Sequence, residues 1–242
     1  MEQKLLSLSR SEDELVQKAY EVHREALANA ERVISLLDHG FAVKNSSKSW
    51  IFMLYLAQAC ANLKLMFLST IRKHDIQMLL MARQMLEATP FMCYALTQQE
   101  FAEACVGKNA GVVIHEMKTR WDKKIIYPWL DKEFGVLSNN IKRLKDKINE
   151  HYTHTGIYSA QNHLALDMQF FDERDEDFVS GRLSLCADIA LHTISLTAEA
   201  VERYPGAIAL APDSTGTFNL LSEATDRLKR PKVGTAMPGG QN

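Results

Sequence analysis

Apolar residues recur every three or four positions through most of this chain, the period of an amphipathic helix. Leu15, Ala19, Val22, Ala26, Ala30, Val33 and Leu37 form the first such series. It predicts a helix from Ser11 to about Asp38. Ser11 and Glu14 have the spacing of a capping box, and His39-Gly40 supplies a stop, with glycine past the end. Ser46, Ser47 and Ser49 are candidate N-caps for a second helix reaching about Lys73. That helix is apolar on most faces, which predicts a central position. Asp75 caps a third helix, whose heart is Met78–Leu96, MLLMARQMLEATPFMCYAL. Pro90 is expected to end or kink it.

A short helix is predicted over Gln98–Val106, bounded by Gly107 and Gly111. Another segment starts near Val112 and is interrupted at Pro128. Leu137-Ser138 opens a further helix, with Ile141, Leu144 and Ile148 on one face. Leu164, Leu166 and Met168 alternate with other residues, which admits a short β-hairpin over 163–180 beside the acidic run Asp172–Asp177. Arg182–Tyr204 is the last long helix, and Pro205-Gly206 ends it. Residues 206–216 read as a linker, Phe218–Lys229 as a short amphipathic helix, and the segment from Pro231 as a disordered tail. The prediction is an all-α bundle of six to seven helices. One helical domain covers 1–205, and 206–242 form an appendage.

Composition changes this picture little. The chain has 242 residues, a net charge of −2, and few Gly and Pro. That suits long helices and gives no global pull toward nucleic acid or membrane. Cys60, Cys93, Cys105 and Cys186 form no CxxC pair and sit among apolar residues. They read as reduced, buried thiols of a cytoplasmic protein. The N-terminus lacks the apolar core of a signal peptide. Trp50–Thr70 approaches membrane-span length but carries Gln58, Asn62 and Lys64, and reads as a core helix.

Charge becomes informative locally. Arg83 and Glu87 stand at i, i+4 on the third helix and can pair. At about 100° per residue they fall away from the polar side marked by Gln77 and Gln84. A pair set among apolar neighbours needs further partners to offset its desolvation. The segment Asn149–Thr155 offers His151 and His154. Two readings stand for these residues, a polar reaction site and a structural lock. The two histidines with Glu87 or Asp167 could hold a metal, but no ExxH pair repeats as a di-iron bundle site requires, and no cofactor or metal is expected. The third feature is a basic middle. From Met117 to Glu150 nine Lys/Arg stand against five Asp/Glu, a net +4, which leaves −6 for the rest. Lys118, Arg120, Lys123, Lys124 and Arg143, interleaved with Trp121, Tyr127 and Trp129, are the candidate nucleic-acid contacts. Lys142, Lys145 and Lys147 belong to the same run.

The succession ARQMLEATPFMCYAL, then INEHYTHTGIYS, then a long helix resembles a group of bacterial helical proteins related to the HEPN-like superfamily. The resemblance covers about residues 50–200. It implies a helical fold, a propensity to homodimerise, and an RNA-targeting role in defence or toxicity. Arg83, Glu87 and His154 are the matching positions. The ribonucleases of that superfamily place four to six residues between an Arg and a His. Here seven residues separate Arg143 from His151. If RNA is cleaved, His151 or His154 would serve as acid or base, and Arg83 or Arg143 would stabilise the charge at phosphorus. The alternative is a non-enzymatic helical module that binds a partner protein or ligand.

Overall fold

A computed structural model of the protein describes residues 4–152 and 176–229. The fold is all-α with one small antiparallel sheet. In order come α1 (Lys4–Val22), α2 (Arg24–His39), β1 (Phe41–Val43), α3 (Ser46–Ile71), α4 (Asp75–Ala95), a 3-10 turn (Leu96–Gln98) and α5 (Gln99–Cys105). Then follow α6 (Ala110–Arg120), α7 (Lys123–Tyr152), α8 (Glu176–Arg203), β2 (Ile208–Leu210) and α9 (Ser214–Lys229). Lys4–Val22 begins before the predicted Ser11 start.

α3 and α4 form the central hairpin, and α8 packs against both. α3 starts where a cap allows it, with the Asn45 side chain accepting from the Lys48 amide at 3.1 Å. Ile51, Phe52, Leu63, Met66, Met78, Met85, Leu86 and Met92 are fully buried. α3 has the length and hydropathy to cross a membrane, yet half of its apolar window is covered by other helices. α4 runs through Pro90 instead of ending there. Pro90 is buried, and packing on both sides of α4 outweighs the ~3 kcal/mol that an internal proline costs a helix. Where α4 meets α8 the seam is polar but dry. The Thr89 hydroxyl lies 2.9 Å from the Met85 carbonyl of its own helix and 3.2 Å from the Thr193 hydroxyl. Small side chains there let the two helices approach closely.

The predicted first helix bends at His23. The ring is buried and lies 2.8 Å from Glu176 at the start of α8. This tertiary contact, invisible in the local period, sets the bend. Glu176 also meets Lys18 at 2.7 Å and Lys73 at 3.5 Å. The acidic run therefore turns its Glu176 toward these groups. The hydrogen bond from Lys18, with help from His23 and Lys73 and against the effect of burial, lowers its pKa from 4.5 to about 2. An unfolded chain therefore binds more protons between those two values. The stability due to Glu176 is present above about pH 4.5 and is lost as pH falls through about 2. Acid unfolding followed by circular dichroism checks this: Glu176→Gln has lower neutral stability than wild type and a shallower decline over that window.

The sheet joins distant parts of the chain. Phe41 pairs with Leu210, Ala42 with Ala209 and Val43 with Ile208. The predicted linker 206–216 is thus corrected: it carries β2 and the first residues of α9. The predicted hairpin over 163–180 is corrected at its end, since 176–180 open α8; residues 163–175 lie outside the described residues, as do His154 and the tail beyond Lys229.

α7 differs most from expectation. Pro128 does not interrupt it, whereas the further helix predicted from Leu137-Ser138 is present as its second arm, which starts just after a kink. The break is at Phe134, with φ −134° and ψ 36°. A straight helix would put Lys123 and Lys145 about 33 Å apart. Both instead reach the same carboxylate oxygen of Glu87. α7 is therefore folded back on itself. Asp131 on the first arm accepts from Ser138 at 2.6 Å and pairs with Lys142 on the second. Arg203 donates to the Glu133 carbonyl freed at the bend, and its guanidinium lies 4.6 Å from the Phe134 ring centre.

Candidate functional site

The fold-back of α7 builds the site. Arg83 and Glu87 project from one face of α4, one turn apart, with Arg83 Nε 3.4 Å from Glu87 Oε1. Lys123 from the first arm of α7 comes to 3.8 Å of the same oxygen, and Lys145 from the second arm to 3.4 Å. Tyr127 completes the group, its hydroxyl accepting from Lys145 Nζ at 3.1 Å. Lys145 also lies 5.0 Å from the Tyr127 ring centre, a cation–π distance.

The cluster is a surface seam, neither sealed core nor free surface. The side chains of Arg83 and Glu87 are 31% and 27% exposed, Lys145 16% and Lys123 57%. Three cations face one carboxylate, so the seam carries a net +2. Burial pushes the Glu87 pKa up, but Lys145, Lys123 and Arg83 outweigh it and the net shift is downward. Glu87 is thus held as an anion and is unsuited to donate a proton at neutral pH. Burial pulls the Lys145 pKa down, while the Tyr127 hydroxyl and Glu87 raise it further, so Lys145 stays charged. Among the described residues the terminal guanidinium nitrogens of Arg83 have no hydrogen-bond partner. They are donors with a planar fork suited to an oxyanion.

The other expected residues divide. Lys123 joins the cluster. Lys118, Lys124 and Arg143 are exposed, and Arg120 is exposed with its guanidinium 4.5 Å from the Phe101 ring centre. His151 belongs to the last turn of α7, and its side chain, like the whole of His154, lies outside the described residues. The expected meeting of Arg83 and Glu87 with a histidine therefore cannot be drawn; the partners in view are two lysines and a tyrosine. The aromatics expected to stack bases are taken up by the protein. Trp121 is buried against Tyr94 and Phe101, and Trp129 packs on Tyr94, Phe134 and Tyr204. Among the described residues no three His, Cys, Asp or Glu side chains converge as a metal site.

Lys145 and Tyr127 stand in the basic and aromatic run, but linear spacing did not join them to Arg83 and Glu87. The available signal was Gly135, a helix-weakening residue directly after Phe134; a bend there brings the basic residues of 123–127 and 142–145 together.

No family model matches this chain, and no curated protein or solved structure matches it.

Proposed function

We propose that the α4–α7 seam binds phosphate groups and that the chain is a helical, HEPN-like RNA-targeting protein with a defence or toxin role. The observation that carries this reading is the surplus of positive charge: Arg83, Lys123 and Lys145 converge on Glu87 alone. Glu87 orders the cations, and the free end of Arg83 and the exposed Lys123 offer donors to an incoming phosphodiester. Exposed Lys118, Arg120 and Lys124 extend the positive surface from the last turn of α6 into the first turn of α7. With the Trp faces occupied, affinity comes from phosphates. It is therefore strongly salt-dependent and nearly independent of sequence. Should the bound RNA also be cut, His151 or His154 is the candidate to supply the proton, because Glu87 stays ionised and has none to give.

A second reading is favoured by one observation. Glu87 links α4 to both arms of α7, as a purely structural lock would. Glu87→Gln separates the two. If the seam binds phosphate, net charge rises from +2 to +3 and single-stranded RNA binds several-fold tighter in a low-salt titration. Folding stability falls by about 1–2 kcal/mol, the sum of three partly screened pairs, and millimolar inorganic phosphate restores it. The same loss with no phosphate rescue and unchanged RNA binding rejects the proposal in favour of the lock.

A further inference from the structure

Away from the charged seam, α6 lies loosely against the body of the protein. Val113 is its only buried residue. Beneath it, between the first turns of α3 and the end of α5, is an open cavity of about 540 Å³. Trp50, Leu54, Val106, Val113, Ile114 and Met117 form most of its wall. Leu54, Val106 and Ile114 are 55%, 58% and 55% exposed, a concentration of apolar surface that water covers unfavourably. The wall is held rigid on one side, where the Trp50 indole donates to the Ala102 carbonyl at 2.7 Å. On the other side the chain enters α6 through Gly107, whose φ of +81° a residue with a side chain adopts at a cost.

The polar part of the wall is made by Ser46, Ser47, the Cys105 thiol and Lys108. Among the described residues, Lys108 is the only charged side chain lining the cavity. Its neighbour Glu116 stands 3.3 Å away in an exposed pair, which an incoming anion can replace at little cost. The first residues of α3 and α6, Ser46 and Ala110, also line the wall and add the positive ends of two helices. The volume falls in the range of small-molecule sites and is too small for a partner helix.

We infer that this cavity binds a small amphiphile with a flexible hydrocarbon body and one anionic head, of the fatty-acid class. The hydrocarbon lies against Trp50, Leu54, Val113 and Ile114, and the carboxylate meets Lys108. The charge of the wall selects the anion, and its apolar extent selects the chain.

Isothermal titration of the full chain with decanoate and dodecanoate, below their micellar concentrations, tests this. Saturable binding of one molecule per chain is expected, with dodecanoate tighter than decanoate by roughly tenfold for its two extra methylenes. Lys108→Met weakens dodecanoate about tenfold and leaves dodecanol unchanged. Leu54→Glu, at an exposed position that folding tolerates, removes both. Absence of saturable binding overturns the inference, as does an equal effect of Lys108→Met on acid and alcohol. Sedimentation at rising concentration provides the remaining arm: a dimer that Leu54→Glu dissolves, with no fatty-acid binding, assigns the groove to a second copy and overturns the small-ligand reading. Association with phospholipid vesicles alone, without binding of free dodecanoate, overturns it too.

Discussion

Replacing Arg182 with alanine is expected to cost about 3–5 kcal/mol of folding stability, because it removes the guanidinium that faces both oxygens of a buried carboxylate. Arg182 on α8 approaches Asp75 at the first turn of α4, with Nε 2.8 Å from Oδ1 and Nη2 donating to Oδ2 at 3.0 Å. The two side chains are only 16% and 8% exposed. The Arg182 guanidinium also lies 4.7 Å from the Phe178 ring centre, so truncation forfeits packing as well as charge. Asp75 stands at the first turn of α4, where the helix dipole favours an anion. Urea unfolding measures the effect: the midpoint falls while the dependence on urea is unchanged, the mark of a lost native interaction. The paired replacement Asp75→Leu with Arg182→Leu is expected to cost less than Arg182→Ala alone, because the buried carboxylate is then removed together with the guanidinium. An Arg182→Ala midpoint equal to wild type would show that the pair is solvated in solution.

Much of this architecture is legible in the sequence, and the exceptions share a cause. α3 follows from its apolar period and its bounding residues, and the bodies and ends of α8 and α9 from theirs, although α8 starts at Glu176 and α9 at Ser214, ahead of the predicted Arg182 and Phe218. The bend at His23 depends on Glu176, far along the chain. The passage of α4 through Pro90 depends on helices packed around it. The three-residue strands are too short to show alternation, and each exists only because the other lies beside it. At the candidate site the same division holds. That Arg83 and Glu87 leave the polar side of α4 and require further partners was readable from helix geometry. Which partners they have was not, because Lys145 reaches Glu87 only through the bend at Phe134. The helix start predicted at Leu137-Ser138 and Gly135 both marked the break, but a helical period carries no record of the angle at which the second arm folds back.

That bend makes the largest expected effect on binding a property of three residues together. Arg83, Lys123 and Lys145 come from α4 and from the two arms of α7, so no single substitution removes the positive field at Glu87. Replacing all three with glutamine turns a net +2 into −1. Each lost phosphate contact on a single strand lowers the slope of log affinity against log salt by about 0.7, so three lower it by about 2. At low salt the affinity for a single-stranded RNA is expected to fall at least about a hundredfold, while Lys118, Arg120 and Lys124 retain a weak, salt-sensitive residue of binding. Stability falls by about 1–2 kcal/mol, as for Glu87→Gln, because the same three partly screened pairs are lost. Filter binding at several salt concentrations, paired with thermal unfolding of the same variant, checks both halves. An unchanged salt slope places the RNA elsewhere on the chain. A large fall in Tm with no effect on RNA leaves the seam as the lock between α4 and α7, and the bend at Phe134 as its means of closing.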